Sequence, residues 1–351
     1  MGLLLEKWLP SVQQILAGDS YDPFSGWSNL AQPIAALDSK SYLEFAREGL
    51  EPLKERMVAF CEANNFSHVI IPQEEYRAGF EKGDEEFHEW FEEYCRQRGM
   101  NPAVKVVIIG PCVKDEASTD FKAKIRPDAR VKDYLRGMYI FLEGNTAKSA
   151  RKSLDNMANA IDCLQSDEKF KTLGRKNNLH TPKHNGYRSY KAAWNVPLGG
   201  VFVGKEMMAE IKIEHESQQD LNRMTRRFMN YSRKTRDAME RFYSNCTSES
   251  GGSRDLRIAN KNMLLMMRNV EDLDKFSRLV YDYVHKNAGL NRFLDKSKEA
   301  QYAPAAPEVL QAAARKAIDA FGAPIAREIE NAGVKLPSVR ARAEKMEKTF
   351  S

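Results

Sequence analysis

The heptapeptide VKVVIIG, residues 104–110, carries the clearest strand signal in the sequence. A run of β-branched residues closed by Gly110-Pro111 is typical of a buried strand that ends at a turn. Two shorter apolar runs, HVIIP at 68–72 and GMYIFL at 137–142, predict further strands. We therefore expect a β-sheet in the middle of the chain, with one strand that ends at Gly110 and a helix that begins just after it.

Polar and apolar residues alternate in GYRSYKAAWNV at 186–196 and in MMAEIKIE at 207–214, which predicts two more strands. Apolar residues at helical spacing mark segments on both sides of these strands. The predicted helical segments are 40–64, interrupted at Pro52, then 84–98, 147–164, 216–245, 256–287, 307–331 and 338–349. The pattern predicts an α+β fold, in which helices flank a mixed β-sheet.

Two stretches of small residues and proline divide the chain. TSESGGS at 247–253 has the composition of a flexible linker, and YAPAAP at 302–307 separates two helical segments. We expect three regions along the chain. They are an N-terminal helical segment at 1–64, an α+β core at 65–245 and a C-terminal helical region at 255–351.

The overall composition is that of a globular protein: of 351 residues, 42% are hydrophobic and 29% are charged, with a net charge of +5. This excess is compatible with an anionic ligand but is too small to identify a nucleic-acid binder. Five cysteines without a paired short spacing predict reduced thiols in a cytoplasmic protein, and neither a disulfide framework nor a zinc site. No apolar run approaches membrane-spanning length, and MGLLLEKWLP does not read as a signal peptide.

A set of residues that suit phosphate follows the strand at 104–110. Lys114, Ser118 and Lys122 are spaced four apart, so they share one face of a helix. A helix N-terminus after a strand end receives phosphate well. The alternative interpretation is a solvated charged face, because charges at this spacing are common.

Two carboxylates lie beside predicted strands. Asp133 precedes the strand at 137–142, where it is suited to bind Mg²⁺ or, alternatively, to form a cap or an ion pair. Glu210 shares one face of the strand at 207–214 with Lys212, and the apolar residues of that strand lie on the other face. Each position alone is a weak signal.

The segment LHTPKHNGYRSYK, residues 179–191, combines a turn with groups that suit a flat anionic ligand. Asn185-Gly186 predicts the turn, because glycine accepts a positive φ without steric cost. A tyrosine ring offers a face on which a base stacks, and lysines offer charges for phosphates. The alternative interpretation is an ordinary hairpin with a basic rim.

The order of these pieces is more specific than any one of them. Lys-x3-Ser-x3-Lys is followed by an Asp before a strand, then by Pro-Lys-x-Asn-Gly-Tyr-x-Ser, and then by Glu-Ile-x-Ile. Over about 108–215 this order resembles the synthetase domain of the RelA/SpoT alarmone family, in particular its small stand-alone and toxin-like members. The resemblance implies a nucleotidyltransferase-like core that transfers pyrophosphate from ATP to the 3′-hydroxyl of a guanosine nucleotide and releases AMP.

The resemblance also implies a role for each matching residue. Asp133 and Glu210 would be the catalytic residues and the ligands of the cofactor Mg²⁺, with Glu210 orienting or deprotonating the attacking hydroxyl. Tyr187 would stack on the acceptor base. ATP would be bound by Lys114, Ser118, Lys122, Arg126 and Arg136, and the acceptor by Lys183, Asn185, Tyr187, Ser189 and Lys191.

The chain departs from the family pattern around both nucleotide sites. Cys112 stands where the family has an adenine-stacking arginine, and Met138 stands where an arginine follows the Asp. Lys212 and Glu214 replace a Gln and an Arg after Glu210. Lys191 also stands where the family usually has a His. The candidates for the missing adenine-stacking residue are Arg126, Arg130, Arg136 and Arg151. These changes leave the acceptor open between a guanosine and an adenosine nucleotide.

Two other functions stay open. The basic segment 220–241 favours a tRNA 3′ end as the acceptor if it contacts an RNA backbone, but it also fits an amphipathic packing helix. Cys112 and Glu214 alternatively suggest a catalytically silent nucleotide sensor. The sequence contains no His-Asp pair, so no trace of the family's hydrolase domain is expected. A lone synthetase favours a toxin-like role, or control by a neutralising antitoxin partner.

Overall fold

The computed structural model describes residues 30–35, 38–83, 85–117, 119, 131–144, 146–170, 172–183, 185–223, 225 and 253–321. The chain divides into two compact units. The sheet unit consists of the described residues of Asp22–Thr181 and Arg188–Asp220, and the helical unit consists of those of Pro182–Tyr187 and Leu221–Glu347. The division expected from the sequence has boundaries near residues 64 and 245. In the structure, residues 38–63 instead belong to the same unit as the sheet.

The described strands of the sheet unit form one sheet. They are β1 His68–Ile71, β2 Val106–Val113, β3 Leu135–Phe141, β4 Gly174–Asn177, β5 Tyr190–Pro197 and β6 Glu206–His215. Their order across the sheet is β1-β2-β3-β6-β5-β4. The pairs β1–β2 and β3–β6 are parallel, and the other pairs are antiparallel. The sheet is therefore mixed, and the predicted α+β fold is confirmed.

Helices accompany both units. In the sheet unit they are α1 Ser39–Glu48, α2 Leu50–Ala63, α3 Gln73–Tyr76, α4 Phe87–Gln97 and α5 Ala147–Ser166. In the helical unit they are α6 Ser253–Asn287 and α7 Pro307–Phe321. Among the described residues, no helix combines the length and the apolar composition needed to cross a lipid bilayer.

The predicted break at Pro52 is wrong, because the helical segment divides at Gly49 instead. Pro52 lies in the first turn of α2, where a backbone N–H would have no partner within the helix and proline is therefore tolerated. Gly49 lies against the side chain of Leu135, where an added Cβ would come within 2.7 Å of Cδ2. The chain therefore turns at a residue without a side chain, and α1 and α2 both reach the sheet.

The predicted end of a strand at Gly110 is also wrong, because β2 continues to Val113. Gly110 has a φ of +92°, and the register between β2 and β3 shifts between Ile109 and Cys112. Proline is tolerated at such an irregularity because a ladder hydrogen bond is already missing there. The ladder resumes with Cys112 opposite Arg136. The strand predicted from 186 similarly begins only at Tyr190.

The two faces of the sheet pack against different helices. On the α2 face, the Phe60 ring lies 5.3 Å from that of Tyr139 and 6.0 Å from that of Trp194. On the α4 face, Ile109 and Ile140 join an aromatic cluster with α3 and α4. Residues along a strand alternate between faces, so Arg136 and its cross-strand partners lie on the α4 face.

The helical unit has its own apolar core along α6 and α7. Its buried members are Leu221, Leu273, Phe276, Val280, Tyr281, Val284, Ala313 and Ala317. The Tyr281 hydroxyl donates to Asn222 Oδ1 at 2.8 Å and lies 2.7 Å from Thr225 Oγ1. These hydrogen bonds satisfy a buried hydroxyl and fix the Tyr281 ring within the core.

Candidate active site

A nearly buried ion pair forms where β2 ends and β3 is about to begin. Lys114 Nζ lies 3.3 and 3.2 Å from the two carboxylate oxygens of Asp133. Lys114 is 5% exposed and Asp133 is 8% exposed. The Lys114 N–H donates to the carbonyl of Tyr134 at 2.8 Å, which holds the two segments side by side. The pair places an ammonium and a carboxylate together at one end of the sheet.

A second ion pair crosses from β5 to β6. Lys191 Nζ donates to Glu210 Oε1 at 2.9 Å. Directly across the ladder, Lys191 faces Lys212 and Glu210 faces Ala193, so the ion pair is diagonal. Diagonal neighbours on one face of an antiparallel pair are within reach of long side chains. Both members are partly exposed, which leaves them open to a ligand on the α4 face.

Arg136 interacts electrostatically with the carboxylates of both ion pairs, Asp133 and Glu210. It is the register partner of Glu210 on β6 and of Cys112 on β2. Its Nε donates to Cys112 Sγ at 3.4 Å. Burial opposes the charged form of Arg136, but the nearby Cys112, Asp133 and Glu210 outweigh this effect and raise its pKa above the usual value. The guanidinium therefore stays charged.

Lys212 lies two residues after Glu210 on β6 and on the same face of the sheet, so the two form a polar row along this strand. Its ammonium forms an ion pair with Glu214, which also accepts a hydrogen bond from Gln219 Nε2 at 2.9 Å. Gln219 Oε1 in turn accepts from the Tyr76 hydroxyl at 2.9 Å. Glu214 is buried, and these contacts satisfy its charge. Two of the positions that depart from the family pattern are thus bonded to each other, a pairing that alternation along the strand permits but does not identify.

The predicted acceptor residues Lys183, Asn185 and Tyr187 lie in the helical unit, on a tight turn. The Gly186 N–H donates to the Lys183 carbonyl at 2.8 Å, and the Tyr187 N–H donates to Asn185 Oδ1 at 3.2 Å. Ser277 of α6 donates its hydroxyl to the Asn185 carbonyl at 3.1 Å. The turn is therefore anchored on α6.

The Tyr187 ring is half-buried and packs edge-on against Tyr281, with ring centroids 6.2 Å apart. Lys183 Nζ lies 5.9 Å from the centre of the Tyr187 ring. Gly186 has a φ of +85° and fits closely against α6, where an added Cβ would lie 2.8 Å from Arg278 Cα and from Tyr281 Cβ. The predicted need for glycine at this turn is confirmed, and α6 adds a steric reason that the sequence does not reveal.

The structure brings five of the predicted site residues together in the sheet unit. They are Lys114, Asp133, Arg136, Lys191 and Glu210. Ser189 is fully buried in the same unit, and its carbonyl accepts from the Asn178 N–H at 2.9 Å. Ser118, Lys122 and Arg126, along with most of the basic segment 220–241, lie outside the described residues.

One contact to this site has no sequence signal. Gln32 is 7% exposed, and its side-chain amide bonds to the backbone at Val131 and Met208. Each of these backbone positions precedes a predicted catalytic carboxylate by two residues. Nothing in the local sequence around Gln32 indicates a contact with segments about 100 and 176 residues away.

The carboxylates fit one kind of metal site. Among the described residues, no group of three or more His, Cys, Asp or Glu side chains could hold a metal ion. Mg²⁺ is commonly held by one or two carboxylates together with substrate phosphates. The hard oxygen donors of Asp133 and Glu210 therefore suit an Mg²⁺ ion that is shared with a nucleotide, and not one enclosed by protein ligands alone.

Comparisons with known proteins give structural likenesses at low identity. No protein-family model and no curated protein matches this chain. Small alarmone synthetase 1 from Bacillus subtilis, solved with its product pppGpp, is 17% identical with a TM-score of 0.32, and the alignment covers 71% of this chain and 96% of that chain. Small alarmone synthetase 2 from the same organism is 15% identical with a TM-score of 0.31, covering 57% and 84%.

A GTP pyrophosphokinase family protein from Streptococcus pneumoniae is also similar. It is 15% identical with a TM-score of 0.25, and the alignment covers 57% of this chain and 88% of that chain. The names of these three structures are those of the family that the order of motifs resembles.

Proposed function

We propose that this chain is a RelA/SpoT-type pyrophosphokinase. It transfers the pyrophosphoryl group of ATP to the 3′-hydroxyl of a purine nucleotide and releases AMP. The observation that carries the proposal is a row of charged side chains, in which Arg136 interacts electrostatically with the ion-paired carboxylates of Asp133 and Glu210. Phosphoryl-transfer enzymes act mainly by positioning their substrates and neutralising charge, and this row supplies groups for both.

The reaction forms one bond and breaks one bond. The acceptor's 3′-oxygen attacks the β-phosphorus of ATP, and the bond from that phosphorus to the α,β-bridging oxygen breaks. AMP leaves with the bridging oxygen. The proton of the 3′-hydroxyl passes to the Glu210 carboxylate, because a hydroxyl is a poor nucleophile until a base within hydrogen-bond reach accepts its proton.

The other groups in the row bind and orient. Lys114 carries positive charge beside Asp133, where it neutralises ATP phosphates. When bound, Mg²⁺ held by Asp133 and Glu210 would offset charge on the phosphates. Lys191 releases Glu210 when it binds an acceptor phosphate, so the carboxylate becomes free to act as the base.

The resemblance assigns acceptor recognition to the turn that carries Tyr187. Tyr187 offers a ring for the acceptor base, and Lys183 and Asn185 offer polar groups for its sugar or phosphates. GDP or GTP is the default acceptor. ADP or ATP is the alternative, because Lys212 and Glu214 alter the polar row beside Glu210.

The proposal extends to a cytoplasmic enzyme that is toxin-like or controlled by a neutralising partner, because the order of motifs resembles the small stand-alone and toxin-like members of the family. Expression of the active enzyme in a host should therefore slow growth. Normal growth despite measured activity in extracts would contradict this part of the proposal.

The test of the reaction is to follow label from γ-³²P-ATP with Mg²⁺. GDP, GTP, ADP, ATP and bulk tRNA are each supplied as the acceptor. We expect label on a free purine nucleotide, and we expect Glu210→Gln to lower the rate by about 10² to 10⁴ while ATP binding is retained. Label on tRNA alone would favour the tRNA acceptor. A folded, nucleotide-binding protein that transfers no label would be a sensor and would overturn the proposal.

A further inference from the structure

We propose that Gln32 is a positioning residue that sets the spacing between the carboxylates of Asp133 and Glu210. The inference rests on the proposed function, since it concerns the same site. Gln32 Nε2 donates to the Val131 carbonyl at 2.8 Å, and Gln32 Oε1 accepts from the Met208 N–H at 2.9 Å. One side-chain amide thus joins the segment that precedes β3 to the first part of β6.

The position of this amide along the sheet gives it that role. The ladder between β3 and β6 begins with Leu135 opposite Ala209 and runs toward the carboxyl ends of both strands. Before Leu135, at the site end, strand pairing does not hold the two segments together. The Gln32 amide bonds to Met208, which lies one residue before the ladder begins on β6, and to Val131 in the segment before β3. It therefore links the two segments where strand pairing no longer does.

The Gln32 amide is held firmly enough to impose a distance. It is 7% exposed, so loss of a partner would leave a buried polar group unsatisfied, which is unfavourable. Leu30 packs against Ala193 and Met208 on the same face of the sheet. Leu30 and Gln32 are therefore held by an apolar contact and by the amide hydrogen bonds.

The spacing of the carboxylates matters because they are proposed to share one cation with the nucleotide. Asp133 lies two residues after Val131, and Glu210 lies two residues after Met208. Productive sites tolerate displacements of only about 0.5 Å, and loss of a supporting hydrogen bond to a metal site typically costs 10- to 100-fold in metal affinity. Removal of the Gln32 amide should therefore weaken cation binding in addition to lowering stability.

The chain provides a matched control at the other end of β6. Gln218 is fully buried, its Oε1 accepts from the His215 N–H at 2.8 Å, and its Nε2 donates to the Arg188 carbonyl at 3.0 Å. Like Gln32, it accepts from one backbone N–H and donates to one backbone carbonyl. Its partners, however, lie beside residues for which no contact with the cation is proposed. Gln32→Met and Gln218→Met therefore remove equivalent contacts, and each keeps the length of the side chain.

The experiment measures Mn²⁺ binding by electron paramagnetic resonance, with α,β-methylene ATP present so that no transfer occurs. We expect Gln32→Met to raise the Mn²⁺ concentration for half-saturation by at least about tenfold, and Gln218→Met to change it by less than about twofold. The melting temperature of each variant is measured in parallel. If Gln32→Met does not fold, Gln32→Asn is used, because it keeps a neutral amide that is too short to reach both partners.

Failure of this inference differs from failure of the proposed function. An active wild type whose Mn²⁺ affinity is unchanged in the Gln32 variant, or is changed equally in the Gln218 variant, would overturn the positioning role. If the wild-type protein transfers no label, the proposed reaction is overturned. If Mn²⁺ affinity is nevertheless lower in Gln32→Met and not in Gln218→Met, the positioning role is still supported.

Discussion

Arg136 on β3 and Cys112 on β2 are register partners, and the guanidinium Nε donates to the thiol sulfur at 3.4 Å. In the family pattern, the position of Cys112 carries the arginine that stacks on adenine. Because the two residues face each other across one rung of the ladder, Arg136 brings a guanidinium to the same part of the sheet from the neighbouring strand. We therefore expect Arg136 to bind the adenine of ATP.

The first prediction concerns this exchange. Arg136→Met should weaken ATP binding by about tenfold, since a desolvated cation–π contact contributes about 1 to 2 kcal/mol. The double variant Cys112→Arg/Arg136→Cys should recover part of the lost ATP affinity. It places a guanidinium at the same position of the ladder, but on β2 instead of β3. Titration calorimetry with α,β-methylene ATP measures both effects. Unchanged affinity in Arg136→Met would assign the adenine site to another arginine.

The second prediction concerns the buried ion pair of Lys114 and Asp133. Asp133→Asn should lower the free energy of unfolding by about 3 kcal/mol, because it removes the carboxylate beside a buried ammonium. Urea unfolding measures the change. The control is Glu51→Gln, which breaks the exposed pair with Lys54 and should cost less than about 1 kcal/mol. Similar costs for both variants would show that the buried ammonium does not depend on Asp133.

The third prediction compares two glycines that have the same φ of +85°, Gly186 and Gly204. Gly204→Ala should cost about 1 to 2 kcal/mol, because an added Cβ meets only the strain of the left-handed backbone. Gly186→Ala should cost more, since its Cβ also collides with α6. It should also raise the KM for the acceptor and leave ATP affinity unchanged. Equal losses of stability would mean that the turn does not pack closely on α6.

The fourth prediction concerns the pH dependence of stability at Cys61. Burial, together with the nearby Glu62, raises the pKa of this thiol from 9.0 to about 12. The unfolded chain therefore loses the proton first, so stability is complete below pH 9 and falls as the pH rises from 9 toward 12. At pH 10.5 the loss from this group is about 2 kcal/mol.

Cys61→Val isolates this effect, because valine fills a similar volume and does not ionise. The difference in unfolding free energy between wild type and variant should be constant from pH 7 to 8.5 and should then move against the wild type. Other groups that titrate in this range, such as Tyr190, are common to both proteins and cancel in the difference. A difference that stays constant to pH 10.5 would contradict the raised pKa.

The sequence predicts the sheet strands well where apolar residues dominate, and less well where proline and glycine decide the geometry. The run at 137–142 matches β3 closely because its residues are largely buried between the two layers of helices. Gly110-Pro111 predicts the end of a strand. Beyond this irregularity, however, Cys112 and Val113 pair with β3 and the ladder resumes. At Pro52, the position within the helical turn decides whether proline interrupts the helix, and local composition does not specify that position.

The site is predictable where one strand carries its residues, and unpredictable where distant segments meet. The alternation of polar and apolar residues along β6 is enough to place Glu210 and Lys212 on one face. The pairing of Lys191 with Glu210 requires the strand register, and the pairing of Arg136 with Cys112 requires the irregularity at Gly110-Pro111. Gln32 lies beyond any local pattern, because its partners are fixed only by the tertiary fold.

The most direct test of the proposed reaction is the phosphorus balance, followed by ³¹P nuclear magnetic resonance with ATP, Mg²⁺ and the accepted nucleotide. We expect AMP to appear only when acceptor is present, with one AMP for each new 3′-diphosphate, and we expect neither ADP nor free pyrophosphate to accumulate. Formation of ADP with a 3′-monophosphate, or of AMP with free pyrophosphate in the absence of acceptor, would show that the row from Lys114 to Glu210 catalyses a different reaction.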